Sequence, residues 1–157
     1  LRAVGSEGKV ITYEQREEFA RRALTNIRQR LGEVTNLVVR FQPVEEGLPD
    51  EEPVDRVILD LPEPWRLVDL VAAVLRSGGI FLSYVPTIIQ SHQISEALRH
   101  HRAFGLVETF ETLFRPWNIE GQSVRPFHRM VAHTGFITVA RRVVPEEGIE
   151  PLLAGEE

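Results

Sequence analysis

Hydrophobic and polar positions along the chain change period several times. Lys9 to Glu14 (KVITYE) alternates and is rich in β-branched residues, which predicts a short strand ending in an acidic residue. From Gln15 to about Leu31 the apolar positions Phe19, Ala20, Ala23, Leu24, Ile27 and Leu31 recur at helical spacing. Glu17 and Glu18 stand four residues before Arg21 and Arg22, a favourable order of charges on a helix. Asn36 to Phe41 (NLVVRF) predicts a second strand, and the acidic, proline-bearing QPVEEGLPDEEP a loop. Val54 to Leu61 (VDRVILDL) is apolar enough for a strand covered on both faces. Pro64 suits a helix start, and Leu67, Val68, Val71, Val74 and Leu75 mark one face of that helix. Ser77 to Gly79 should stop it, Ile80 to Pro86 (IFLSYVP) is the next strand, and a helix follows from Thr87 or Ile88 to Ala103, ending near Gly105. The tail predicts two long strands, Leu106 to Ile119 and His133 to Val144, joined by an excursion from Gly121 to Met130.

Strands that alternate with helices imply an α/β fold with a largely parallel sheet, and two final strands with no helix between them imply an antiparallel edge. The length of 157 residues suits one domain, 1–157. Ligands of open α/β sheets bind beyond the carboxyl ends of the strands. Glu14, Asp60 and the neighbourhood of Tyr84 should therefore lie on one rim. The stretch DRVILDLPEPW, Asp55 to Trp65, is the most suggestive, because a buried strand there runs into a carboxylate and a loop stiffened by two prolines.

Charge changes this picture in one segment. The formal net charge is -5, yet Arg99 to Arg142 holds seven arginines against three glutamates, a net of +4 that leaves -9 elsewhere. Four of the five histidines, His100, His101, His128 and His133, also lie there. Such a segment reads as a solvated face or as a phosphate-binding surface. Cysteine is absent, so neither a disulfide framework nor a thiolate metal site is available. The spacing of His128 and His133, without a third ligand of the usual type, gives no reason to expect a metal. With no apolar run near the ~20 residues of a membrane span and no signal-peptide pattern, the expectation is a soluble, cytoplasmic protein with no membrane partner.

DRVILDLPEPW, then GGIFLSYVPTIIQ, then RPFHRMVAHTGFITVARR, in that order and at matching separations, resemble the tRNA (adenine-N1)-methyltransferases that modify the T-loop adenosine at position 58. The resemblance covers about Val4 to Val143. It implies a class I, Rossmann-like methyltransferase fold, S-adenosylmethionine as methyl donor, tRNA as substrate and a homo-oligomer, commonly a tetramer.

Position by position, the resemblance makes Glu14 the carboxylate that holds the ribose hydroxyls of the cofactor; read alone, it is equally a glutamate that opens the following helix. Asp60 matches the active-site aspartate near both cofactor and target base, against the plainer reading of a helix cap. Leu61 beside it and Gln42, through its amide, are the further candidates for cofactor contact. Pro62, Glu63, Pro64 and Trp65 resemble the loop with which amino-group methyltransferases hold a planar base, although Trp65 alone could simply fill the core. Tyr84 matches a position close to cofactor and target, with a core tyrosine as the competing view. Arg125, His128, Arg129 and His133 match a segment at the mouth of the active site, the arginines for phosphate and the histidines for the pocket.

The chain departs from the family at its start. Class I methyltransferases begin the cofactor site with a strand and glycine-rich loop that would precede KVITYE, and that strand lies between those ending at Glu14 and Asp60. Gly5 and Gly8 form a turn and do not replace the loop. The departure keeps a second expectation alongside catalysis, a non-catalytic tRNA-binding or assembly subunit, and a third, methylation of another substrate.

Overall fold

The computed structural model describes residues 1–129 and 134–144. They fall into two compact units, Leu1–Glu51 and Glu52–Glu157.

In the first unit β1 (Val10–Tyr13) and β2 (Leu37–Arg40) pair in parallel, from Val10 opposite Leu37 to Tyr13 opposite Arg40. The crossover between them is α1 (Glu17–Leu31), with Glu17 and Glu18 in its first turn and Arg28 and Arg30 in its last, as the helix dipole favours. Of the two charge pairs predicted on its surface, Arg21 reaches Glu17 at 2.5 Å. Gly32 ends the helix at φ 76°, returning its N–H to the Arg28 carbonyl. Asn36 fastens the turn ahead of β1 by donating to the carbonyls of Gly5 (2.8 Å) and Gly8 (2.6 Å). The expected loop after β2 is partly helical: α2 (Val44–Gly47) leads directly into a 3-10 turn at Leu48–Asp50. Its apolar anchor is Leu48, 5% exposed, and Gly47 is packed so closely by the Tyr13 ring and the Gln42 amide that a side chain there would overlap both.

A polar cluster closes that segment onto the strand ends. Glu51, its side chain 8% exposed, accepts from the Tyr13 hydroxyl and from Arg40 Nε, both at 2.8 Å. Arg40 above all holds the Glu51 carboxyl below its ordinary range, while burial, and then the hydrogen bond to Glu51, pushes the Tyr13 hydroxyl up to about 12. The depressed carboxyl contributes stability that is present above the ordinary carboxylate range and is lost as pH falls through the lowered value. The raised phenol contributes stability that is lost only as pH rises through about 12. Urea unfolding across pH 2.5 to 7 is therefore expected to show an acid limb that Glu51→Gln flattens. An unchanged limb would remove Glu51 from this account.

The second unit is built on a four-stranded sheet of order β3-β4-β8-β5, with β3 at Val54–Leu59, β4 at Leu75–Val85, β5 at Phe104–Phe110 and β8 at Phe136–Arg142. β3 and β4 run parallel, and β8 is antiparallel to both β4 and β5. The antiparallel ending is as expected, with β8 inserted between β4 and β5 so that β5 forms the edge. Between β3 and β4 lie a 3-10 turn at Pro64–Leu67 and α3 (Val68–Val74); α4 (Ile88–His100) joins β4 to β5. β1 and β3 belong to different sheets, and among the described residues each has one ladder partner.

One face of this sheet forms the core. Val57, Leu59, Phe81, Val85 and Ala140 of the sheet, Leu67, Val71 and Val74 between β3 and β4, and Ile94 and Leu98 of α4 are all 9% exposed or less, and α3 and α4 both contact β4. Phe81 and Phe104 meet edge to face at 5.8 Å. Hydroxyls cross the core from Ser91 to Thr138 (3.2 Å), to Thr109 (2.9 Å) and to Ser95 (2.9 Å).

Four expectations change. The reading of VDRVILDL as covered on both faces fails, because Val57 and Leu59 are buried while Ile58 between them is 70% exposed. The helix after Pro64 begins as a 3-10 turn and ends at Val74, so Ser77 to Gly79 fall within β4, where the register against β3 slips between Val54 and Arg56. The helix after Thr87 stops at His100 rather than Ala103. The long strand Leu106 to Ile119 is two strands: β5 carries a bulge between Gly105 and Glu108 with Leu106 at φ 53° and ends at Phe110, and β6 (Trp117–Glu120) starts after Pro116. The expected excursion contains β7 (Ser123–Pro126), which closes a hairpin with β6 through Gly121 at φ 56° and Gln122.

Candidate active site

Asp60 is the first residue beyond β3, and its carboxylate is exposed, with no hydrogen bond or ion pair among the described residues. The last register pair of the parallel ladder is Leu59 with Ser83, so the next residue on each chain, Asp60 and Tyr84, stand side by side at the carboxyl ends of β3 and β4. Leu61 is half-buried and Pro62 exposed; Pro64 is buried and opens the 3-10 turn that carries the partly buried Trp65. Glu63 accepts the Arg66 N–H at its carbonyl and pairs its carboxylate with the Arg66 guanidinium at 3.3 Å. The segment Asp60 to Trp65 is thus fixed at its far end while leaving the aspartate free.

Tyr84 is half-buried on the face opposite the core, and its hydroxyl donates to the Thr134 carbonyl. Gly135, at φ 150°, lies so close under the same ring that a Cβ would overlap it. Tyr84 therefore binds the entry to β8 against the strand end that carries Asp60. Arg125 lies in β7, and His128 and Arg129 follow it; all three are exposed, and their side chains make no hydrogen bond or ion pair among the described residues. His133 lies outside the described residues.

Glu14, in the first unit, directly follows β1, as the sequence predicts. Its Oε1 accepts the Arg16 backbone N–H (2.9 Å) and Arg16 Nε (3.1 Å), and its Oε2 accepts Arg16 Nη2 (3.3 Å). These bonds to Arg16 hold the Glu14 carboxyl below its ordinary range. The Arg16 guanidinium in turn lies 3.9 Å from the centre of the Phe19 ring. Glu14 thus remains an ionised acceptor tied to Arg16, the residue just ahead of α1. It borders a cavity of about 160 Å³ together with Thr12, Tyr13, Phe19 and Val39. Gln42 is half-buried just beyond β2.

Sequence reasoning missed Gln90. Its Nε2 donates to the Pro62 carbonyl at 2.9 Å, and its Oε1 accepts from the Thr87 hydroxyl at 2.6 Å. The available signal was the Thr87-x-x-Gln90 spacing ahead of an apolar run, the pattern of a helix capping box.

Comparison with known proteins gives the following. Residues 1–125 match the family described as tRNA methyltransferase complex GCD14 subunit. Over 174 residues the chain is 34% identical to the tRNA (adenine(57)-N(1)/adenine(58)-N(1))-methyltransferase TrmI of Methanocaldococcus jannaschii, covering 94% of this chain and 60% of that protein. It is 32% identical over 141 residues to the tRNA (adenine(58)-N(1))-methyltransferase TrmI of Thermus thermophilus, covering 90% of this chain and 54% of that one. Among solved structures, a Thermotoga maritima protein described as a SAM-dependent O-methyltransferase superposes with a TM-score of 0.84 at 38% identity, over 93% of this chain and 54% of its own. The Aquifex aeolicus tRNA (m1A58) methyltransferase TrmI superposes with a TM-score of 0.74 at 26% identity, over 87% and 54%. The chain therefore spans 54% to 60% of the length of these relatives.

Proposed function

Because the chain belongs to the family of the tRNA methyltransferase complex GCD14 subunit, we propose that it serves in transferring the methyl group of S-adenosylmethionine to N1 of an adenine in tRNA. The observation that carries this reading is Asp60: an exposed, unpaired carboxylate at the carboxyl end of a parallel strand, followed by a proline-stiffened loop and flanked by Tyr84. On this reading residues 1–157 form one catalytic domain.

The cofactor supplies an electrophilic methyl group on a sulfonium. The residues present fit its ribose end, since Glu14 is an ionised acceptor beside a cavity. A carboxylate offers about four acceptor sites, and Arg16 takes three of them at Glu14. Accepting two vicinal hydroxyls would therefore require Arg16 to release one bond. Gln42 and Leu61 are the further candidates for cofactor contact, as is Asp60.

Adenine N1 carries its own lone pair and needs little activation, so the protein's main task is to hold the ring in line. Asp60 accepts from the exocyclic amine, which orients the base and stabilises the positive charge that develops on the ring as N1 gains the methyl. Pro62 and Trp65 offer a stiff edge and a stacking surface for the base. Tyr84 keeps the β8 entry against Asp60. Arg125, Arg129, His128 and His133 belong to the basic segment that would meet the tRNA, where arginine suits phosphate. The same family reading supports a cytoplasmic homo-oligomer, commonly a tetramer. Among the described residues no helix is long and apolar enough to cross a membrane.

The intact protein incubated with methyl-labelled S-adenosylmethionine and, in parallel, tRNA, duplex DNA and a small catechol is expected to label tRNA alone, as N1-methyladenosine. Label in the catechol would transfer the reading to the O-methyl chemistry that describes the Thermotoga maritima protein. Tight tRNA binding with no cofactor affinity would instead support a non-catalytic subunit.

A further inference from the structure

Gln90 occupies the third helical position of α4, where the side chain of a capping box ordinarily turns back to the N–H of the N-cap residue. Here it does something else. The Thr87 hydroxyl, which caps α4 by accepting the Gln90 N–H at 3.3 Å, also donates to Gln90 Oε1, and this turns the amide nitrogen outward to the Pro62 carbonyl. The orientation is chemically determined, because a carbonyl can only accept and the group facing it must be the NH2. Pro62 has no N–H of its own, so its carbonyl is the one backbone group by which that residue can be held.

The geometry points to Gln90 as a positioning residue for the methyl transfer: it ties the loop that follows Asp60 to the helix that follows Tyr84. Asp60 is then fixed from both sides, through Leu59 in the β3 ladder behind it and through Pro62 two residues ahead. The two prolines limit what the loop can do between these anchors. Gln90 touches neither reacting atom, and its action is to keep the aspartate where the base must meet it. A small displacement there is costly, since misplacement by about 1 Å lowers rates by up to about 100-fold.

This inference rests on the proposed methyl transfer, and its test separates the two. Gln90→Glu keeps the size of the side chain, satisfies the capping box as well as glutamine does and places an acid in the first turn of α4, where it favours the helix. It also puts a lone pair where the NH2 met the Pro62 carbonyl. If Gln90 serves only to cap α4, Gln90→Glu is neutral. If it is the tether, kcat for tRNA methylation falls by roughly 10-fold or more while the dissociation constant for S-adenosylmethionine changes less than about 2-fold, and Gln90→Leu behaves alike. A readout free of activity comes from Trp65, which reports on the same loop once the other tryptophan is replaced (Trp117→Phe). In that background the tether predicts greater acrylamide quenching of Trp65 in both Gln90 variants. Parental kcat and parental quenching in Gln90→Glu would overturn the proposal. A parent protein that methylates no tRNA would overturn the functional reading, and Trp65 quenching would still decide for or against the tether.

Discussion

Asp60→Ala is expected to lower methyl transfer to tRNA by about 100-fold or more while leaving folding stability within about 0.5 kcal/mol. Both halves follow from its surroundings. The carboxylate makes no hydrogen bond or ion pair among the described residues and is exposed, so its removal leaves no buried group unpaired. Its place beyond β3, beside Tyr84 and ahead of the Pro62 to Trp65 loop, is where a base would be held. Asp60→Asn keeps an acceptor oxygen but loses the charge, and should fall between the parent and the alanine variant. Initial rates at saturating S-adenosylmethionine, with urea unfolding of each variant, check this. A fully active alanine variant would remove Asp60 from the chemistry, and one that unfolds would make it a structural residue.

The largest effect on stability is expected from Phe81→Ala, at about 3–5 kcal/mol. Phe81 is fully buried on β4, which has β3 on one side and β8 on the other, and its ring meets Phe104 edge to face. Deleting the ring leaves a cavity bounded by strands that are held in register and cannot collapse into it. The urea midpoint should drop accordingly, whereas Phe114→Ala, at a side chain 81% exposed, should stay within about 0.5 kcal/mol. Equal effects at the two positions would contradict this assignment of the core.

The elements legible in the sequence were those whose period decides the matter. The spacing from Phe19 to Leu31 gave α1 to within two residues, and the apolar IFLSYVP gave a strand that lies within β4. The carboxyl-end rule put Asp60 and the neighbourhood of Tyr84 on one rim, and the β3–β4 register sets the two side by side. Elsewhere period was a poor guide. Leu106 to Ile119 has the composition of strand, but composition cannot show a bulge at Leu106, and the break near Pro116 depends on which partner each half finds: β8 for β5, β7 for β6. The turn at Gly121 and Gln122 was the missed sign of that hairpin. In VDRVILDL the apolar run was real, yet which face is covered depends on where α3 and α4 pack. The segment after β2 read as a loop because its composition is polar and proline-bearing, while its order comes from Leu48 and from Glu51 meeting Tyr13 and Arg40. Gln90 escaped because a capping-box spacing announces a helix start and says nothing of a carbonyl 28 residues earlier.

Methylation at N1 blocks the Watson–Crick edge of adenine, so the product can be located by where copying stops. The most direct test is reverse transcription through the T-loop of tRNA before and after incubation with the intact protein and S-adenosylmethionine. The account predicts a new stop at adenine 58, the position at which its TrmI relatives act, and no stop with the Asp60→Ala variant. Read-through at that position, or methyl incorporation at some other atom or molecule, would contradict it.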